Sequence, residues 1–144
     1  MIVLDTNVVS ELMRKTPDKN VLDWVDQHPV DNVFITAVTA AELWYGVERL
    51  PDGHRKTVLA TKVVELLTED FHDQILPFGG DEVEHYARIT AARDRSGKPI
   101  GMADAQIAAI CRRYYADLAT RNLRDFVVTG VHACNPWDGS ATPR

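Results

Sequence analysis

Five acidic or amide side chains, Asp5, Glu42, Asp104, Asn122 and Asp125, sit where apolar runs give way to polar turns or where helices open. The clearest case is at the start, where Ile2-Val3-Leu4 ends abruptly in Asp5-Thr6-Asn7. A buried strand delivering a carboxylate to the edge of a parallel sheet has this form, and in open α/β sheets ligands bind beyond the carboxyl ends of the strands. Asp104 shares a helix face with Ile107, Ala108 and Cys111, so it is expected to point inward. A buried, unpaired carboxylate is costly, and a cation is one of the few ways to keep it charged. Ligands that are all oxygen suit Mg²⁺ or Mn²⁺ rather than Zn²⁺. The histidines at 28, 54, 72, 85 and 132 show no zinc-site spacing.

Each of these side chains also has a local explanation. Asp5 or Asn7 would cap a helix beginning near residue 7, and Asn122 would cap a short turn. Thr39-Ala40-Ala41-Glu42 matches a capping box, in which Glu42 reaches back to a backbone N–H. Asp104 in a first helical turn complements the macrodipole. Convergence of all of them at one sheet edge is what the caps alone do not explain.

The elements that must position them alternate strand and helix, the pattern of a parallel α/β sheet. Strands are expected at 2–5, 33–35, 75–78, 118–120 and 131–134. Helices are expected at 7–14, 18–27, 39–50, 54–70, 81–96 and 102–114. Val58, Leu59, Val63, Leu66 and Leu67 form the inner stripe of the fourth helix. No repeat or linker divides the chain, which reads as one domain over 1–138 with a loose tail at 139–144.

With 144 residues and 45% hydrophobic composition, the chain has enough interior for one real core. No apolar stretch approaches the roughly 20 residues of a membrane span. The first apolar run is too short for a signal sequence, so a cytoplasmic location is the expectation. Cys111 and Cys134 lie in apolar patterns without C-x-x-C spacing, and both are expected buried and reduced. A net charge of −5 does not favour nucleic acid binding, although carboxylates converging on a metal account for part of it.

Four motifs occur in one order: Leu4-Asp5-Thr6-Asn7, Thr39-Ala40-Ala41-Glu42-Leu43, Ala103-Asp104-Ala105-Gln106-Ile107-Ala108 and Ala119-Thr120-Arg121-Asn122-Leu123-Arg124-Asp125-Phe126. With the closing Asn135-Pro136-Trp137, the chain resembles the PIN-domain family over residues 1 to 138, and within it the VapC-type toxins of toxin–antitoxin pairs, nearest the FitB-like branch. The resemblance implies an α/β fold with a five-stranded parallel sheet flanked by helices, and a Mg²⁺- or Mn²⁺-dependent endoribonuclease. It implies Asp5 and Asp104 as the main metal ligands, with Glu42 completing the pocket directly or through water. Thr6 and Thr120 would brace that pocket by hydrogen bonding. Many relatives carry Asp where this chain has Asn122, so either Asn122 or Asp125 fills the fourth position.

In that chemistry, water activated by the cation attacks the scissile phosphorus in line, leaving a 5′-phosphate and a 3′-hydroxyl. RNA would need cationic handles. Arg121 and Arg124 flank the site motif and are the best placed; Arg14, Lys15, Arg49, Arg93, Arg95 and Lys98 are further candidates. The resemblance also implies a homodimer and a cognate antitoxin, with Trp24, Trp44, Tyr45 and Leu50 as candidate anchors for it.

Two other readings compete. A phosphatase working through an aspartyl-phosphate wants a second Asp two residues after the first, where this chain has Asn7. A non-catalytic partner subunit of a DNA-binding autoregulatory complex would tolerate Asp5→Asn and Asp104→Asn, which a nuclease would not. A dinucleotide-binding fold is excluded for want of any G-x-G-x-x-G after the first strand.

Overall fold

The computed structural model describes residues 1–139. Its five strands are β1 (Ile2–Leu4), β2 (Val33–Thr36), β3 (Ile75–Leu76), β4 (Asp117–Ala119) and β5 (Ala133–Cys134). They pair in the order β3-β2-β1-β4-β5, every pair parallel. Six helices cover the sheet: α1 (Thr6–Leu12), α2 (Lys19–Asp26), α3 (Ala37–Glu48), α4 (His54–Glu65), α5 (Val83–Arg95) and α6 (Met102–Tyr114). The five-stranded parallel sheet expected from the strand–helix alternation is present.

Because side chains alternate across a strand, the continuous apolar run of β1 serves two cores. Ile2 and Leu4 pack with Ile35, Val8, Val9, Val21, Trp24, Val47 and Val63, drawn from β2 and α1 to α4. Val3 points the other way, with Leu118, Ile89, Ile107 and Ile110 from β4, α5 and α6. The site depends on this sandwich, because it fixes the sheet edge from both sides.

The strand order creates a switch point. From β1 the chain winds outward to β2 and β3, then returns to pair β4 on the other side of β1. The crevice between the carboxyl ends of β1 and β4 is where such sheets bind ligands. Asp5 and Thr120 both emerge there, each one residue beyond its strand.

Several boundaries differ from expectation for local reasons. The third and fifth strands shrink to two residues each, the third stopping before Pro77, which has no N–H for a ladder. Helix α3 begins two residues early because the Thr36 hydroxyl caps it, accepting from the Thr39 N–H. Beyond Glu65 the fourth helix continues as a π turn over Leu66–Asp70, closed by the Phe71 N–H on the Leu66 carbonyl. Val63 and Leu66 are buried as expected, whereas Val58 lies off the stripe and is exposed. Trp24 is 3% exposed and belongs to the core, which removes it as a partner anchor; Tyr45 is exposed and Trp44 half-buried. The expected tail falls at 140–144 outside the described residues, apart from Gly139. Among the described residues no helix is long and apolar enough to cross a membrane.

Tyr115 ends α6 in the left-handed region, at φ 53°, with 89% of its surface exposed. An L side chain there costs about 1–2 kcal/mol, which glycine avoids. Tyr115→Gly is therefore expected to stabilise the protein by about 1 kcal/mol, read as a rise in the urea midpoint at unchanged slope. A lower midpoint would mean that the ring makes a contact worth more than the strain.

Candidate functional site

Asp5 is the innermost member of the site, 5% exposed. Its backbone N–H donates to the Ala119 carbonyl at 2.9 Å, extending the β1–β4 ladder by one bond. Its Oδ1 accepts from the Thr6 N–H at 2.8 Å, so Asp5 does cap α1. Its Oδ2 accepts from the Thr120 hydroxyl at 2.7 Å and, more loosely, from the Asn7 amide at 3.4 Å. Capping and site placement are thus the same geometry here. Burial pushes the Asp5 carboxyl up against these hydrogen bonds, and the charge of Asp125 adds to the rise.

Glu42 reaches the site from α3 without serving as a capping-box residue. Its Oε1 accepts from the Thr6 hydroxyl at 2.8 Å, and that hydroxyl stands 3.0 Å from Thr39 Oγ1. The helix starts at Ala37, so Glu42 is too far along it to cap it, and its carboxylate turns to α1 instead.

Asp104 lies in the first turn of α6 and is half-buried. Its carboxyl is pushed up to about 6, first by burial and then by the charges of Asp5, Asp125 and Glu42; the Arg93 guanidinium opposes the rise. Four carboxylates from β1, α3, α6 and the turn at Leu123–Phe126 therefore share one electrostatic field. Cys111 lies two turns further along the same face of α6, and burial with the Asp5 charge pushes its thiol up, leaving it an inert core group.

Asn122 and Asp125 differ in what they do. The Asn122 N–H donates to the Thr120 hydroxyl at 3.1 Å, and its side chain makes no capping bond. Asp125 is the one whose charge reaches both Asp5 and Asp104. Arg121 and Arg124 are exposed beside them.

Two site residues went unrecognised in the sequence. Asn7 brackets the ends of β1 and β4: its amide reaches Asp5 and Thr120 at 3.4 Å, and its Oδ1 accepts from the Arg121 N–H at 3.2 Å. Its place two residues after Asp5, in Asp-Thr-Asn, was the available signal. Arg93, expected as an RNA handle, is 5% exposed and points inward. It donates to the carbonyls of Lys98 at 2.5 Å, Asp125 at 2.6 Å and Val127 at 3.0 Å. Among the described residues no three His, Cys, Asp or Glu side chains converge tightly enough to hold a metal unaided.

The PIN domain family model matches residues 2–130. The chain is similar to the VapC ribonuclease Y4jK of Sinorhizobium fredii, 38% identical over 96% of this chain and 99% of that relative. It is similar to Toxin FitB of Neisseria gonorrhoeae, 37% identical over 95% of this chain and 99% of the toxin. The crystal structure of FitAcB from Neisseria gonorrhoeae superposes with a TM-score of 0.89 at 37% identity, covering 96% of this chain and 99% of that one. The structure of FitAB bound to an IR36 DNA fragment superposes with a TM-score of 0.88 at 36% identity, covering 95% of this chain and 96% of that one.

Proposed function

The chain belongs to the PIN-domain family, and from that premise we propose that it is an endoribonuclease toxin of a toxin–antitoxin pair, working with a divalent cation, Mg²⁺ or Mn²⁺. The observation that carries this reading is the placement of Asp5, Glu42 and Asp125 around Asp104 at the switch point of the sheet, near enough for the charge of each to act on it. Carboxylates that share one field repel one another, and a cation relieves that repulsion.

The donor set fits a hard cation. The groups there that could ligate a cation are carboxylates, and the side chains that donate hydrogen bonds to them are hydroxyls and an amide. That no three acids converge is compatible with Mg²⁺, which keeps several waters and needs only one or two carboxylates. Asp5 and Asp104 would hold it, with Glu42 and Asp125 at the margin. When bound, the cation supplies positive charge against the non-bridging phosphate oxygens and makes nearby water more acidic.

The chain's own residues do the remaining work. Thr120, Thr6 and Asn7 fix the Asp5 carboxylate in one orientation, so no reorganisation is needed when charge develops. Glu42, held by the Thr6 hydroxyl, is the group placed to take a proton from the attacking water. Arg121 and Arg124 offer exposed charge to the backbone phosphates on either side.

A protein antitoxin is the proposed partner, because the close structural relatives include FitAcB and a DNA-bound FitAB. A homodimer is proposed alongside it, and a cytoplasmic location goes with an RNA substrate. A role in a DNA-bound complex does not compete with catalysis, since one chain can serve both.

Cleavage of a mixed RNA pool by the purified, antitoxin-free chain tests the reading. Cutting is expected with Mg²⁺ or Mn²⁺ and is expected to vanish in EDTA and in Asp5→Asn. Asp125→Asn should lower the rate by on the order of tenfold to a hundredfold, and Asn122→Ala by less than about threefold. The reverse ranking would give the fourth position to Asn122. Equal cutting by Asp5→Asn would make the activity a contaminant.

A further inference from the structure

We propose that Arg121, stacked on Trp137, forms a preset phosphate subsite that takes the RNA phosphodiester next to the scissile one. The proposal rests on the ribonuclease reading of the adjoining acid cluster and adds a positioning residue, Trp137, to it.

The main chain of Arg121 is bracketed to the catalytic edge. It follows Thr120, whose hydroxyl donates to Asp5, and its own N–H donates to Asn7 Oδ1 at 3.2 Å. The guanidinium lies over the Trp137 ring, with Cζ 4.7 Å from the ring centroid. None of the ion pairs between described residues uses it. The basic group whose charge reaches Asp104 is the buried Arg93.

An unrestrained arginine next to four carboxylates would be drawn onto them, neutralising the pocket and blocking it. Trp137 supplies the competing anchor. Its backbone N–H donates to Asn135 Oδ1 at 2.9 Å, its carbonyl accepts from the Asn20 amide at 3.0 Å, and its ring packs on the core cluster that β1, β2 and α1 to α4 share. The ring is therefore fixed before RNA arrives.

A guanidinium lying on an aromatic face keeps its in-plane N–H donors free, and that fork matches a phosphate. Phosphate is favoured over a base because Arg121 covers one face of the Trp137 ring, which is half-buried against the core. Held clear of the acids, the charge is aimed at a neighbouring backbone position.

Binding of a labelled short single-stranded RNA pool, measured by fluorescence anisotropy in EDTA across a salt series, tests the proposal. Arg121→Ala is expected to weaken binding about fivefold to tenfold and to flatten the slope of log affinity against log salt by about 0.7, the value of one phosphate contact on a single strand. Trp137→Leu is expected to produce the same flattening, Trp137→Phe to retain most of the wild-type affinity, and the double variant to lose no more than Arg121→Ala. With Mg²⁺, Trp137→Leu should raise KM and leave kcat within about twofold. A wild-type slope in Trp137→Leu, with its thermal midpoint intact, would overturn the proposal, as would losses that add in the double variant. Wild-type RNA binding that Arg121→Ala leaves unchanged overturns this subsite alone. No RNA binding by the wild type would overturn the ribonuclease reading with it.

Discussion

Asp104→Asn is expected to remove ribonuclease activity and, at the same time, to stabilise the metal-free protein. The two effects have one cause. The carboxyl is lifted from 3.8 to about 6 by burial and by Asp5, Asp125 and Glu42, so the fold disfavours its charged form. A group whose folded pKa is raised contributes stability at low pH and loses it as pH rises through the folded value. In EDTA the wild type should thus unfold at a lower temperature at pH 7.5 than at pH 5.

The uncharged amide removes that repulsion at neutral pH. Asp104 is only half-buried, and after allowance for solvent screening the gain is about 1 kcal/mol, or about 3 °C in melting temperature. In the Asp104→Asn variant this part of the pH dependence should be absent. Added Mg²⁺ should stabilise the wild type more than the variant, because on the proposed reading the cation would bind the folded state through the carboxylate that was replaced. Activity should fall on the order of a thousandfold, since a ligand that would hold the cation against the negative charge of the reacting phosphate is lost. Thermal denaturation in EDTA at both pH values, beside RNA cleavage with Mg²⁺, measures all of this. A variant that melts lower than wild type at pH 7.5, or that still cuts RNA well, would show that Asp104 is not the strained acid of the site.

Arg93→Met is expected to produce the largest loss of stability, about 3 kcal/mol, from a residue that the sequence offers as one of several candidate RNA handles. Its guanidinium donates to three carbonyls, two of them in the segment that carries Asp125. Methionine fills the space but leaves those carbonyls without their donor. The loss is a large fraction of the roughly 5–15 kcal/mol typical of a domain. Arg93→Lys should fall between, because an ammonium keeps the charge but cannot span three acceptors with a rigid fork. Urea unfolding with an unchanged slope would register both. If the Met variant were as stable as wild type and bound RNA less well, Arg93 would be an RNA contact after all.

Arg93 also shows why some of the site was illegible. In the chain, Arg93 and Arg95 are two residues apart in the same polar stretch, and nothing local distinguishes the buried one. Only the docking of α5 against the segment after β4 turns Arg93 inward. Glu42 posed the same difficulty in a different form. A capping box and a long-range bracket use identical residue types, and the choice depended on Thr36 starting α3 early and on Thr6 arriving from α1.

What the sequence determined by itself was the parallel α/β architecture and the edge at which chemistry occurs. Short apolar runs that stop at Asp5 and just before Thr120 have one low-energy solution, a strand buried on both faces with its polar end at the rim, because unpaired backbone and exposed apolar surface are both costly. The 3.6-residue stripes of α4 and α6 then specified which helical faces cover it. What only the tertiary structure decided was which polar groups meet across the switch point. The charge of Asp125 reaches Asp5 and Asp104, Asn7 ties β1 to β4, Arg93 is spent on carbonyls, and Arg121 lies on Trp137 instead of on a carboxylate. Those partners are distant in sequence, and a hydrogen bond or charge contact forms only at the separation that packing imposes, which local pattern does not encode.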